Sequence, residues 1–77
     1  MIVHGFEVTP EIERACLAAM VGKFRAMDIE MAASNAGAPC DVVMRIADRL
    51  IQRERKAGRI KRVGNRWERV EVTHERD

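Results

Sequence analysis

Arg45, Arg49, Arg53 and Lys56 recur at intervals of four, four and three residues, the spacing that gathers side chains onto one face of an α-helix. Gln52 falls among them, and Lys61, Arg62 and Arg66 follow shortly after. Arginine presents a planar fork of donors that matches phosphate oxygens two at a time, so a stripe of this kind suits contact with a polyanion. The formal net charge of +2 conceals it. Residues 1–44 hold three basic against six acidic side chains, net −3, whereas residues 45–70 hold ten against three, net +7; residues 71–77 return to −2. A local field of this strength points to a polyanionic partner, with a solvated helix face as the alternative reading.

Other chemistry finds little support. His4 and His74 stand near opposite ends of the chain, and neither is spaced from Cys16 or Cys40 at a zinc-type interval. Ser34 has no base nearby, there is no tyrosine, and no glycine-rich phosphate loop occurs. Seventy-seven residues, 47% of them hydrophobic and 34% charged, amount to one small domain able to bury about 60% of its unfolded surface. That is too little for the layered cleft of a typical enzyme. Neither catalysis, a cofactor nor a small-molecule ligand is therefore expected. Two cysteines make no disulfide scaffold, and MIVHGFEV lacks the basic start and long apolar run of an export signal. The expectation is a cytoplasmic, nucleoid-associated protein with reduced thiols and no membrane partner.

The elements that must position the cations are legible from local signals. Thr9 and Pro10 begin a helix over residues 9–22, with Glu11 and Glu13 at its positive end and Gly22 to close it. Its apolar face is Ile12, Ala15, Cys16, Ala19 and Met20. Lys23–Arg25 reads as an extended connection or a brief strand, with Phe24 pointing inward. A second helix spans 27–37 on Ile29, Ala32, Ala33 and Ala36, and Gly37 stops it. A third, 41–57, is capped by Asp41 and ended by Gly58, with Val43, Ile46, Ala47, Leu50 and Ala57 inward and Glu54 as the polar interruption. Residues 59–72 flank Gly64–Asn65 as a β-hairpin. A two-residue turn pairs Ile60 with Arg69; a three-residue loop pairs Ile60 with Val70 and Val63 with Trp67, which gives the better apolar pairs. Trp67 is read as sealing the hairpin to the core rather than stacking on a base, and Met1, Met20, Met27, Met31 and Met44 as filling gaps in an alanine-rich interior, although Met31 and Met44 fall off their helices' apolar faces. Residues 1–8, carrying Ile2, Val3 and Phe6, are either a homodimer arm or an extra strand on their own subunit; residues 73–77 are a tail.

With Ile29 as first residue of a twenty-residue frame, Ala33 is fifth, where a small side chain lets two helices cross, and Gly37 is ninth, where the backbone turns with positive φ. Ala32, Ala36, Ala38, Val43 and Ile46 fill its apolar places. Over residues 9–70 the chain thus resembles the winged helix-turn-helix DNA-binding families of bacterial and phage regulators. The resemblance implies a mainly α domain, a three-helix bundle with a C-terminal wing, whose third helix enters the major groove of duplex DNA. It implies contacts from Asp41, Val42, Met44, Arg45, Asp48 and Arg49 on that helix, and from Lys61, Arg62, Asn65 and Arg66 on the wing. Arg53 joins the DNA-binding set through the stripe, while Asp41, Val42 and Met44 are the base-contact candidates. The third helix exceeds the family pattern by about one turn, within Gln52 to Lys56. Its first turn carries no arginine, asparagine or glutamine, so backbone binding through Arg45, Arg49, Arg62 and Arg66 is expected over base reading. The alternative expectation is a protein-interaction module whose arginines meet an acidic partner.

Overall fold

In the computed structural model, which describes residues 1–70, the chain runs β1 (Ile2–Val3), β2 (Phe6–Glu7), α1 (Pro10–Ala19), β3 (Lys23–Phe24), α2 (Ala26–Asn35), α3 (Val43–Lys56), β4 (Ile60–Val63) and β5 (Arg66–Arg69). Three helices and a small antiparallel sheet surround one core of Val3, Val8, Ile12, Cys16, Met20, Phe24, Ile29, Ala33, Ala38, Val42, Ile46, Ala47, Leu50, Ile51 and Ile60. The sheet has three strands in the order β3–β5–β4. The expected connection at Phe24 is thus an edge strand, Phe24 facing Trp67 and Lys23 facing Glu68. The last two residues of the expected hairpin, 71–72, and the tail lie outside the described residues.

α1 starts as its sequence dictates: Thr9 Oγ1 accepts the Ile12 N–H at 3.2 Å, and Pro10 occupies the first helical place. It ends at Ala19, earlier than expected, and Gly22 is not its cap. The terminal carbonyls find a partner on another element instead. Arg69 of β5 donates from Nε to Met20 O at 2.7 Å and from Nη2 to Leu17 O at 3.3 Å, placing a cation at the negative end of the helix.

α2 and α3 cross through the small side chain of Ala33, which is fully buried together with Ile29 and Ile46. At the end of α2 the Gly37 N–H donates to Ser34 O and the Ala38 N–H to Ala33 O, both at 3.0 Å. This is a Schellman closure, and it requires the φ of +108° that Gly37 adopts. The expected cap of α3 is corrected: the helix begins at Val43 after Val42, and no side chain caps it. Val42 is needed in the core. Burying it swings Asp41 to the surface one residue too early to reach the free amides. The inner face of α3 gains Ile51, and Ala57 is exposed.

The β4–β5 hairpin adopts the two-residue turn, pairing Ile60 with Arg69, Lys61 with Glu68, Arg62 with Trp67 and Val63 with Arg66. Gly64 has φ +63° and Asn65 a negative φ, the pattern of a type II′ turn, whose twist matches the strands it joins. The better apolar pairs lose because the residues facing one another find other partners: Arg69 binds α1, and the Arg62 guanidinium lies 5.4 Å from the centroid of the Trp67 ring. The expected core place of Met27 is corrected, while Met31 and Met44 lie off their helices' apolar faces as their positions imply. Met20 is buried, and Met27, Met31 and Met44 are exposed.

The N-terminal segment is a hairpin of its own, Ile2 facing Glu7 and Val3 facing Phe6, separate from the three-stranded sheet. Val3 and Val8 anchor it on this subunit's core while Ile2 stays exposed.

Candidate nucleic-acid interface

The cationic segment divides once it folds. Arg45 and Arg49 are exposed, one turn apart on the outward face of α3, and neither forms an ion pair among the described residues. Lys56 continues that face toward the end of the helix. Arg53 departs from it. Its Nη1 donates to Glu13 Oε2 of α1 at 2.8 Å and its Nε to Glu54 Oε2 at 3.3 Å, so it serves as a strut between helices. Arg59 and Arg69, two more of the ten cations, are also engaged internally, with Glu54 and with the carbonyls of α1. Arg55 turns to Gln52, donating to its Oε1 at 3.0 Å and 3.2 Å.

Strand pleating separates the hairpin candidates. Alternation puts Arg62 on the side of Phe24, Ile60 and Trp67, toward the helices, and puts Lys61 and Arg66 on the outer side. Arg62 also donates from Nε to Gly64 O at 3.1 Å, which holds it near the turn. Asn65 is exposed at the tip. Trp67 is half-buried against the core. With Arg62 on its ring, it is poorly placed to stack on a base.

Two surface grooves border α3. One, of about 330 Å³, separates it from the N-terminus of α2 and the sheet, between Glu30, Met44, Asp48, Gln52, Arg62 and Trp67. The other, of about 620 Å³, lies between α3 and the N-terminal hairpin and is lined by Val3, His4, Asp41, Met44, Arg45, Asp48 and Arg49. The base-contact candidates part company here: Asp41 and Met44 line the larger groove, whereas Val42 is buried. Val42 is part of the core and has no surface for a base edge.

The larger groove also takes in His4, which lies outside the expected set. The signal for it was present, since Ile-Val, His-Gly and Phe-Glu-Val read as two short β-prone runs about a glycine turn. Nothing local said that this hairpin would fold back beside α3.

Among the described residues no cluster of three or more His, Cys, Asp or Glu side chains is arranged to hold a metal ion, and no helix is long and apolar enough to cross a membrane. Comparisons with known protein families, with curated proteins and with solved structures return no match.

Proposed function

We propose that this chain is a small winged-helix protein that binds duplex DNA, α3 lying against the major groove and the β4–β5 hairpin acting as the wing. The element order α1–β3–α2–α3–β4–β5 with strand order β3–β5–β4 supports the architecture. The observation that carries the function is the pair Arg45 and Arg49: exposed, one helical turn apart, and without a carboxylate partner among the described residues. Lys61 and Arg66 extend the contact from the outer side of the hairpin and Asn65 from its tip, and Arg62 lines the smaller groove beside α3. With Val42 buried and Asp41 beside the arginines, phosphate contacts dominate and sequence readout is limited. The role is one of binding, suited to a bacterial or phage regulator or accessory factor acting in the cytoplasm.

The test is a fluorescence-anisotropy titration against a mixed-sequence duplex of about 20 base pairs at about 50 and about 200 mM salt. Micromolar or tighter binding that weakens steeply with salt is expected. No binding at the lower salt would overturn the proposal in favour of a protein-interaction module with an acidic partner. That second reading draws on the exposed Met44 beside Arg45 and Arg49 on α3, an adaptable apolar side chain unusual for a phosphate-binding face.

A further inference from the structure

His4 is the one residue other than glycine among the described residues with a positive φ, +53°. It opens the turn between β1 and β2, and Gly5 follows at φ +79°. Two consecutive positive φ values make a type I′ turn, where asparagine or glycine is the relaxed choice for the first place. Histidine tolerates the conformation better than most side chains but pays for it in strain. The hairpin is not loose: Val3 and Val8 are buried on either side of the turn, and the Val8 N–H donates to Met1 O at 2.8 Å.

His4 is among the residues that line the larger groove beside α3. There Arg45 and Arg49 are balanced by Asp41 and Asp48, so with a neutral imidazole the formal charge of the lining is zero. The hairpin's other charges do not enter the balance, because the Met1 ammonium and the Glu7 carboxylate pair with each other at 3.5 Å. One proton on His4 makes the groove positive. A histidine ring that carries a proton is an imidazolium, which donates from both ring nitrogens.

We propose that the His4–Gly5 turn is a further contact of the DNA-binding surface, in which protonated His4 donates to a backbone phosphate lying in the groove and converts its lining from neutral to cationic. This rests on the DNA-binding reading above and adds to it a third contacting element and a dependence on pH. The turn flanks α3 on the side of Asp41 and Arg45, whereas Arg62 and Trp67 belong to the groove shared with α2. The reader helix is thereby bracketed by two hairpins.

The experiment compares the intact chain with His4→Asn, which suits the turn and carries no charge, in titrations against the same duplex at about pH 7.5 and about pH 5.5. The wild type should gain several-fold in affinity at the lower pH, with a salt slope steeper by about one. His4→Asn should show neither change. His74 is common to both proteins and cancels in the comparison. An equal gain in His4→Asn, or a wild type that binds equally at both pH values, would overturn the assignment of His4 and leave the DNA-binding reading standing. Absence of binding by the wild type at both pH values would overturn that reading and this one together.

Discussion

Arg59 holds Glu54 by three bonds: its backbone N–H donates to Glu54 O at 3.0 Å, its Nε to Oε1 at 2.7 Å and its Nη2 to Oε2 at 3.0 Å. The two residues occupy the places in a Schellman closure, around Gly58, where an apolar pair commonly meets. Here the contact is ionic. Arg53 adds a fourth bond at 3.3 Å and ties the carboxylate onward to Glu13 of α1. Glu54, the buried charged residue of the core, thus joins the end of α3 to the start of the hairpin and to α1.

Glu54 should couple stability to acidity. Its hydrogen bond to Arg59, together with the nearby positive charges of Arg59 and Arg53, holds the carboxyl below the usual glutamate value of 4.5 against the opposing effect of burial. A group lowered in the folded state contributes stability above its unfolded value and loses it as the pH falls through the folded one. Urea unfolding from pH 7 to pH 3 should show a decline below about pH 4.5 that Glu54→Gln flattens. The same substitution should cost about 1–2 kcal/mol at neutral pH, a charge-assisted bond less whatever the solvent-facing guanidiniums recover. A full-sized acid transition in Glu54→Gln would assign the effect to other carboxylates.

The two cysteines should differ sharply in reactivity. Burial, reinforced by the negative charge of Glu13, pushes the Cys16 thiol from 9.0 up to about 11, and its Sγ donates to Ile29 O at 3.8 Å; Cys40 is exposed. An aromatic disulfide reagent at pH 8 should titrate one thiol in the native protein and two in denaturant. Because the folded value is raised, the contribution of Cys16 to stability is intact below pH 9 and fades as the pH climbs toward 11. Rapid reaction of both thiols in the native state would place Cys16 at the surface.

Gly37→Ala should destabilise through the backbone alone. A Cβ there meets nothing within 4 Å, so the cost is that of holding φ at +108°, about 1–2 kcal/mol. Chemical denaturation measures it, and Gly37→Asn should lose less. A neutral Gly37→Ala would show that the α2–α3 turn relaxes to another conformation.

The arginines of α3 should separate into two functional kinds. Arg45→Ala with Arg49→Ala should reduce the salt slope of duplex binding by about two, one per phosphate contact, with little effect on stability. Arg53→Ala should leave the slope unchanged and lower the unfolding midpoint, because it removes the link between Glu13 and Glu54. Loss of slope in Arg53→Ala would return it to the binding surface.

Signals confined to a few neighbouring residues were readable in advance. Thr9–Pro10 starts α1, Phe24 points inward, Ala33 and Gly37 shape the helix crossing, and Gly58 ends α3, each through backbone chemistry that acts over one turn. The start of α3 is not legible locally: Asp41 is a good cap in isolation, yet with Val42 in the core the helix begins one residue on. The hairpin register was open for a similar reason. Apolar pairing favoured one alignment, and partners far along the chain selected the other.

From its order of residues alone this chain determined three helices, a terminal hairpin and a concentration of positive charge in residues 45–70, since helical periodicity, caps and turn residues act locally. Tertiary structure alone decided which of those cations remain available to a partner. Arg53 meets Glu13 across 40 residues and Arg69 meets Met20 across 49, and no spacing along α3 or β5 encodes either meeting. An arginine becomes a strut or a contact according to what folding brings within 3 Å of its guanidinium. The same packing put His4 on the groove that Arg45 and Arg49 also line, joining residues that the sequence holds some forty positions apart.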